Sequence, residues 1–327
     1  MSGIANGAAG VRFPQTTLEP ATAWMRDALA LFERQSPLAL AALVVTLVVA
    51  IALTLRVRAA RAGAAPSPAL APGAPPTGRA WPWTVGAFAL VAAVIAPALL
   101  TRIAPPVAPE PALRIEVVGH QWWWEARYPD HGFATATDVH VPLGRPVELA
   151  ITSADVMHSL WIPAIGPRHD VPPGRRRIVS FTPDRVGVFA GQCVELCGAS
   201  HANMHLRLFV DEPAAFDAWL ANQRLPARPA GDSLDTDPVT LGQRAFERNA
   251  CRGCHTVRGV SEGPIGPDLT HFASRTTIAG GMFPRNDSTL SEWLLHADRL
   301  KQGSTMPGFK IPQKDLVNLV RWLQSLE

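Results

Sequence analysis

Apolar positions follow three different patterns along the chain, and the first predicts membrane helices. Residues 36–55 and 81–100 form two uncharged apolar runs, and about twenty such residues suffice for a helix to cross a bilayer. A short amphipathic pattern over residues 21–34 predicts a separate surface helix before the first run. Two runs of this length are unusual in a soluble core. The pattern therefore predicts a two-helix transmembrane hairpin over residues 36–104.

The second pattern begins at residue 105 and consists of short β-rich segments separated by Pro and Gly. Their spacing predicts an antiparallel Greek-key sandwich over residues 105–224, with a short helix at 214–223. Residues 225–238, rich in Pro, Gly and Asp, predict a linker. The β-rich segments are LRIEVV, VELAIT, RIVSF, VGVFAG and HLRLFV.

The third pattern is helical and fills residues 239–327. Three segments, VTLGQRAFERNA, TLSEWLLHADRL and QKDLVNLVRWLQSL, carry apolar residues at helical spacing. In the last segment, one face holds Leu316, Leu319, Val320 and Leu323. The chain is thus expected to have an N-terminal segment at 1–35, then the hairpin, the sandwich, the linker and a small all-α domain.

Positive charge is concentrated before the sandwich. Residues 1–104 carry eight arginines against three acids, and the rest of the chain has no positive excess, which argues against a nucleic-acid partner. The 56–80 loop has four arginines and no acid, so the positive-inside rule predicts a cytoplasmic loop with residues 1–35 and both ends outside. A cleaved signal peptide is not expected, because the positive flank follows the first apolar run.

The stretch GQCVELCGASHANMH concentrates soft metal ligands, namely Cys193, Cys197, His201 and Met204. Thiolate, imidazole and thioether together favour copper. Zinc would accept the cysteines and histidine, but methionine is a poor zinc ligand, and a disulfide between the cysteines is the other alternative. A second histidine, His158, follows a predicted strand, so two bridging thiolates could hold two metals with one histidine each.

The motif CRGCH, formed by Cys251, Cys254 and His255, predicts covalent haem attachment. The two thiols would add across the haem vinyl groups, and the adjacent histidine would reach the iron. A zinc knuckle would need further ligands, yet the remaining two cysteines lie in the GQCVELC stretch. Met306, in GSTMPGF, is the expected second axial ligand, and Met282 is the alternative; a His/Met pair suits an electron carrier.

With HQWWWEARYP, VHVPLGRPVELAITSADVMHSLWIPAIG and VPPGRRR, the chain resembles subunit II of cytochrome c oxidase from residue 36 to about 210. The resemblance implies a cupredoxin-like fold and a dinuclear copper A centre. Its two thiolates would bridge both coppers, and each copper would receive one histidine. Met204 would be a weak ligand to one copper, and the backbone carbonyl of Glu195 a ligand to the other.

The same resemblance implies roles at the edges of the copper site. The Glu195 side chain would help hold a magnesium ion at the boundary with subunit I. Trp122 would receive electrons at the surface, whereas Trp123 and Trp124 are interpreted as a packed aromatic cluster. Many of these subunits carry a glutamate near the start of the second helix, and this chain has Ala80 there. A proton path through this subunit is therefore not expected.

Residues 239–326 resemble a small class I cytochrome c, which implies that Met306 binds the haem iron and that the Pro267 carbonyl orients His255. The implied function is electron transfer into a proton-pumping haem–copper oxidase of a bacterial inner membrane, with the metal domains and both termini periplasmic. The oxygen-reducing site would lie on another subunit. Partners would be subunits I and III, membrane lipid and an external donor, either cytochrome c or another carrier.

Two other functions stay open from the sequence. A free-standing, membrane-tethered electron-transfer protein would need no oxidase partner, and a nitrous oxide reductase would share the copper loop but lacks this membrane hairpin. The linker tethers the haem domain to the sandwich, so docking of the two domains becomes intramolecular. We expect a modest apolar patch at the haem edge to meet the exposed part of Trp122.

Overall fold

The computed structural model describes residues 20–62, 85–86, 88–89, 91–92, 113–228 and 236–327. The chain divides into two compact units, residues 26–105 and residues 1–25 with 106–327. The second unit contains two lobes. We call residues 113–223 the sandwich lobe, residues 236–327 the helical lobe and residues 224–228 the connecting segment.

Helix α1 is continuous from Ala23 to Ala62, 40 residues in all. The prediction of a separate surface helix at 21–34 was wrong, because the helix runs on through Pro37. A proline removes one backbone hydrogen bond, and the Ala- and Leu-rich residues around it favour helix strongly enough to continue. Its apolar side chains are exposed, with Leu38, Leu40 and Leu43 each more than 60% accessible.

Among the described residues, one helix is long and apolar enough to cross a membrane. It spans Ala23–Arg56, and its most apolar window has a mean hydropathy of 2.9. The second predicted run is described at only six positions between residues 85 and 92, all of them helical. The rest of that run, Ala80 and most of the 56–80 loop lie outside the described residues.

The sandwich lobe packs two five-stranded sheets face to face, with order β3-β2-β1-β5-β8 in one and β4-β10-β9-β6-β7 in the other. Helix α2 follows the last strand. The bounds are β1 Leu113–His120, β2 Trp123–Tyr128, β3 Phe133–Ala136, β4 Asp138–Pro142, β5 Val147–Ser153, β6 His158–Trp161, β7 His169–Val171, β8 Arg177–Phe181, β9 Gly187–Cys193, β10 His205–Asp211 and α2 Pro213–Gln223.

All five predicted strands are present, but the expectation of a purely antiparallel sandwich was wrong. Strand β1 pairs with β5 in parallel, and β10 pairs with β4 in parallel. Both pairs join strands distant in sequence, and such partners cannot be inferred from the alternation of apolar residues. Trp124, Ile115 and Leu208 are fully buried between the sheets, and alternating apolar residues from both inner faces build this core.

The helical lobe contains three helices and two short two-stranded ladders, so it is mainly rather than wholly α. Helices α3 (Pro238–Arg248) and α5 (Gln313–Gln324) cross so closely that a Cβ on Gly242 would collide with the Asn318 carbonyl oxygen. The predicted apolar face of α5 is buried, as expected. The bounds are α3 Pro238–Arg248, β11 His255–Val257, β12 Ser261–Pro264, β13 Thr277–Ile278, β14 Phe283–Pro284, α4 Asp287–Leu300 and α5 Gln313–Gln324.

The connecting segment lies along the helical lobe. The Leu225 carbonyl is 2.9 Å from Nε2 of His271, and the Ala227 amide donates to the Arg258 carbonyl at 2.9 Å. The first residues of the predicted 225–238 linker are therefore bonded to the helical lobe, whereas residues 229–235 lie outside the described part. Residues 237 and 238 already start α3, where the Asp237 side chain caps the helix by accepting from Thr240 N.

Candidate functional site

Neighbouring strands bring His158 next to the cysteine loop. His158 begins β6 and Cys193 ends β9, and these strands pair so that Leu160 lies opposite Cys193. Nδ1 of His158 is 3.7 Å from Sγ of Cys193. Because the loop after β9 is closed by a backbone bond from Cys193 N to Met204 O at 2.9 Å, its remaining donors stay beside this pair.

The other soft donors converge on Cys197. Its Sγ is 3.8 Å from Sγ of Cys193, 3.5 Å from Nδ1 of His201 and 3.9 Å from Sδ of Met204. A disulfide has its sulfur atoms about 2.0 Å apart, so the cysteines are free thiols. Two thiols, two imidazoles and a thioether therefore share one small site, a donor set that fits copper better than zinc.

Asp155 orients His158 and was not predicted from the sequence. Its Oδ1 lies 2.8 Å from Nε2 of His158, which leaves Nδ1 facing the sulfur. An acidic residue three positions before a candidate ligand was the signal that could have indicated it. Its other oxygen accepts from the Gln121 amide at 2.6 Å, so Asp155 also anchors the backbone beside Trp122.

Burial sets the protonation of these donors. Desolvation lowers the pKa of His158, which favours the neutral imidazole that metals bind. Desolvation, with the neighbouring Cys193, raises the pKa of the Cys197 thiol to about 12. A cation at the sulfur atoms would reverse that cost, because a coordinating thiol loses its proton.

Glu195 contributes its main chain and its side chain to different places. Its carbonyl oxygen is 3.3 Å from Sγ of Cys193, within the donor cluster. Its carboxylate is partly exposed and lies 3.7 Å from a guanidinium nitrogen of Arg168. The neighbouring Leu196 is 78% exposed. This side of the loop therefore presents a carboxylate and an apolar residue outward.

In the helical lobe, a 3-10 turn at Cys251–Gly253 places the two thiols and His255 along one cavity. Nδ1 of His255 is 2.9 Å from the Pro267 carbonyl oxygen, as predicted, so Nε2 is free for an axial ligand. A Cβ on Gly266 would lie 2.5 Å from the His255 ring, so only glycine fits there. The arrangement fits a covalently attached haem.

Met306 and Met282, the two candidates for the second axial ligand, differ in position. Met306 borders the same cavity as Cys251, Cys254 and His255, and it packs against the helical-lobe core. Met282 does not border that cavity. Burial lowers the pKa of His255, so its ring is neutral at ordinary pH. These positions support Met306 as the partner of His255.

Trp122 lies between the two sites and is only 7% exposed. Its Nε1 donates to the Cys197 carbonyl at 3.1 Å. A Cβ on Gly198 would be 2.9 Å from its ring, and a Cβ on Gly303 would be 2.5 Å from the ring. Trp122 was expected to be exposed at the surface. In this structure the helical lobe covers it.

Two neighbours of Trp122 behave differently from each other. Trp124 is fully buried in the sandwich core, as expected. Trp123 instead stacks on His120, with ring centroids 4.4 Å apart, and borders the haem cavity. Trp123 was interpreted as a packed residue. It also lines the cavity, which residues of both lobes border.

We call the contact surface of the two lobes the seam. It includes hydrogen bonds from Thr276 N and Oγ1 to Asp138 at 3.1 and 2.9 Å, and from Ser200 Oγ to the Gln302 carbonyl at 2.7 Å. The contact between the lobes therefore includes direct hydrogen bonds in addition to the expected apolar patch. Three glycines with positive φ, Gly280, Gly281 and Gly303, lie here, and a Cβ on each would be within 2.8 Å of a sandwich-lobe atom or of Lys301.

Known families match both lobes. Residues 133–210 match the family model described as cytochrome c oxidase subunit II, periplasmic domain, and residues 239–327 match that of cytochrome c. Cytochrome c oxidase subunit 2 of Alkalihalophilus pseudofirmus is 37% identical over 214 residues, 65% of this chain and 61% of the relative. The subunit 2 of Bacillus sp. strain PS3 is 31% identical over 265 residues, 75% of this chain and 73% of the relative.

A solved structure is also similar in part. The periplasmic domain of cytochrome oxidase subunit II from Bradyrhizobium japonicum is 32% identical and covers 36% of this chain and 97% of that one, with a TM-score of 0.35. The chain spans 61% of the length of the first relative above and 73% of the second.

Proposed function

The chain belongs to the cytochrome c oxidase subunit II family, and on that premise we propose that it passes electrons from a covalent haem, through a dinuclear copper centre, to the oxygen-reducing subunit of a haem–copper oxidase. One observation carries the proposal. Trp122 contacts the Cys197 carbonyl on one side and Gly303 on the other, three residues before Met306. A single side chain therefore touches the backbone of both candidate sites.

The matched families imply copper in the sandwich lobe and haem in the helical lobe. When bound, both groups supply one-electron redox chemistry. In our proposal, Cys193 and Cys197 would supply the thiolates, and His158 and His201 the imidazoles, that hold two coppers. Met204 would be a weak ligand to one copper. The cluster formed by His158, Cys193 and Cys197, whose ligand atoms all lie within 4.8 Å of one another, supports this assignment.

Glu195 completes the proposed copper site. Its carbonyl, 3.3 Å from Sγ of Cys193, would be the remaining ligand. Its carboxylate would help hold a magnesium ion at the boundary with subunit I, and the partial exposure of that carboxylate supports a contact with another subunit. The exposed Leu196 beside it would be covered in the same contact.

Cys251 and Cys254 would hold the haem through thioether bonds, and His255 and Met306 would bind its iron. The Pro267 carbonyl fixes the His255 ring, and that hydrogen bond raises the basicity of the coordinating nitrogen. Apolar residues of both lobes, such as Phe246, Leu294 and Trp123, line the cavity. Trp122 would lie on the electron's route between the lobes.

The membrane arrangement is also a proposal. Helix α1 and the 81–100 run would form a hairpin in a bacterial inner membrane, with the 56–80 loop cytoplasmic and both lobes periplasmic. The four arginines of that loop support this orientation. Partners would be subunit I, subunit III, membrane lipid and an external electron donor. The chain offers no candidate oxygen site among its described residues.

Purification of the chain from its native membrane tests this function. We expect it to co-purify with a large multi-helix subunit, with two coppers and one covalent haem per chain by elemental and haem analysis. Flash reduction of the covalent haem should then be followed by reduction of the copper centre. Isolation without an oxidase partner would favour the free-standing carrier instead. A copper centre that stays oxidised beside a reduced haem would contradict the relay.

A further inference from the structure

Lys301 is a buried lysine at the seam. It follows the last residue of α4 and is 4% exposed. The chain has two other lysines, Lys310 and Lys314, and both are exposed. Burying an ammonium is costly unless its hydrogen-bond donors are satisfied, so the surroundings of Lys301 decide what it does.

Three backbone carbonyls satisfy that ammonium. Nζ of Lys301 donates to the oxygens of Trp122 at 2.6 Å, Ala279 at 2.7 Å and Asn203 at 3.1 Å. An ammonium has three N–H groups, so the count of donors matches the count of acceptors. Burial is the main reason why the pKa of Lys301 is lowered to about 7, against a smaller opposing effect of the nearby Cys197. The three converging carbonyls favour the protonated form.

The carbonyls belong to segments that build the redox sites. Trp122 hydrogen-bonds to Cys197, and Asn203 lies between His201 and Met204 in sequence. Lys301 itself is five residues before Met306. The side chain therefore ties the segment before the proposed haem ligand to the copper loop directly at Asn203 and, through Trp122, at Cys197.

The seam around Lys301 is closely packed. A Cβ on Gly280 would be 2.6 Å from Nζ of Lys301 and 2.7 Å from the Trp122 carbonyl. The Thr276–Asp138 and Ser200–Gln302 bonds make further contacts between the same two lobes.

We propose that Lys301 is a positioning residue that holds the helical lobe against Trp122, so that haem and copper exchange electrons in one fixed arrangement without a docking step. The inference rests on the proposed function. The bound haem and copper would supply the one-electron chemistry, and no bond or proton at Lys301 would change in the transfer. The role of Lys301 is to fix the distance over which that electron moves.

Lysine labelling of the wild-type complex tests the arrangement without using electron transfer. The purified, detergent-solubilised oxidase is treated with an N-hydroxysuccinimide acetate reagent, and acetylation at each lysine is followed by peptide mass spectrometry. We expect rapid acetylation of Lys310 and Lys314 and strong protection of Lys301. Acetylation of Lys301 at a rate close to that of Lys310 would overturn the proposal, because it would mean that the lobes separate freely.

A matched pair of variants tests the consequence. Lys301→Met keeps the side-chain length but leaves three carbonyls without their donor, and Lys314→Met removes an exposed lysine in the same lobe. We expect flash-induced haem-to-copper transfer in Lys301→Met to slow on the order of tenfold or more, and to slow further as glycerol raises the viscosity. Transfer in the wild type and in Lys314→Met should not respond to viscosity.

The haem reduction potential and the copper absorption spectrum serve as the folding readouts, and both should match the wild type in Lys301→Met. A wild-type rate that falls with viscosity would refute the fixed arrangement, and so would an unchanged, viscosity-independent rate in Lys301→Met. Should the wild-type haem fail to reduce copper at all, the proposed function would fail instead, and the labelling result would still decide whether Lys301 holds the lobes together.

Discussion

Replacing Gly303 by alanine should separate the two redox sites without touching a ligand of either. Gly303 lies against the Trp122 ring with φ at +83°. A Cβ there would be 2.5 Å from Cη2 and 2.9 Å from Cζ3 of the indole. Both atoms belong to a ring held by the Cys197 carbonyl, so the ring cannot simply turn away.

The size of the effect follows from those distances. Ordinary carbon–carbon contact needs about 3.5–4.0 Å, so the seam must open locally by about 1 Å to accept the methyl group. Holding a non-glycine residue at a positive φ also costs about 1–3 kcal/mol. The first effect changes the separation of the sites, whereas the second changes only the free energy of unfolding.

A control separates the two effects. Gly174 has φ at +74° with nothing within 4 Å of its would-be Cβ, so Gly174→Ala carries similar backbone strain in open space. Thermal unfolding should show that both variants are destabilised. Flash reduction of the haem, followed at the copper absorption band, should show severalfold slower transfer in Gly303→Ala and a wild-type rate in Gly174→Ala.

Two outcomes bear on this reasoning. Equal transfer rates in the two variants would refute the idea that the Gly303–Trp122 contact sets the path between the sites. A changed haem potential in Gly303→Ala would instead show that the methyl group disturbed the nearby Met306, so the potential is measured in the same sample.

Further expectations concern the ligands and the topology. Cys197→Ser should leave no dinuclear centre by elemental and spectroscopic analysis, because a hydroxyl cannot bridge two coppers as a thiolate does. Asp155→Asn should weaken copper retention against a chelator about 10- to 100-fold, since it removes the carboxylate that orients a ligand histidine. Met306→His should keep covalent haem and lower its reduction potential. If Met282→Leu shifts the potential and Met306→Leu does not, Met282 and not Met306 is the iron ligand. A reporter fused at Gly73, outside the described residues, should be active only in its cytoplasmic form.

The copper loop could be predicted from the sequence because its chemistry is local. Cys193, Cys197, His201 and Met204 lie within twelve residues of each other, and these side-chain types are rare enough to specify a soft metal. Prediction of His158 as a ligand required one further assumption, that the end of a strand can lie beside a loop distant in sequence. The structure brings it within 3.7 Å of Cys193 through the β6–β9 pair.

The seam could not be predicted in the same way. Lys301 finds its three acceptors 22, 98 and 179 residues earlier in the chain, and all of them are backbone carbonyls. Every residue has a carbonyl, so such a contact leaves no trace in residue types. Only the three glycines carried a signal, and glycine in a loop is more often read as a turn.

Strand partners were hidden for a related reason. Alternation of apolar residues shows which face of a strand is buried, but it does not identify the neighbouring strand. The parallel pairs β1–β5 and β4–β10 are therefore properties of the assembled sandwich. The course of α1 through Pro37 likewise depended on the strength of its flanks rather than on the proline itself.

The glycines of the seam also limit how far this chain is modular. A protein engineer might exchange the helical lobe for another haem-binding domain by joining it after residue 228. Such a chimera would need bare backbone where Gly280, Gly281 and Gly303 now meet Trp122, His205 and Lys301. A donor domain with ordinary side chains at those three points would fold and bind haem, yet it would remain at a distance from the copper loop.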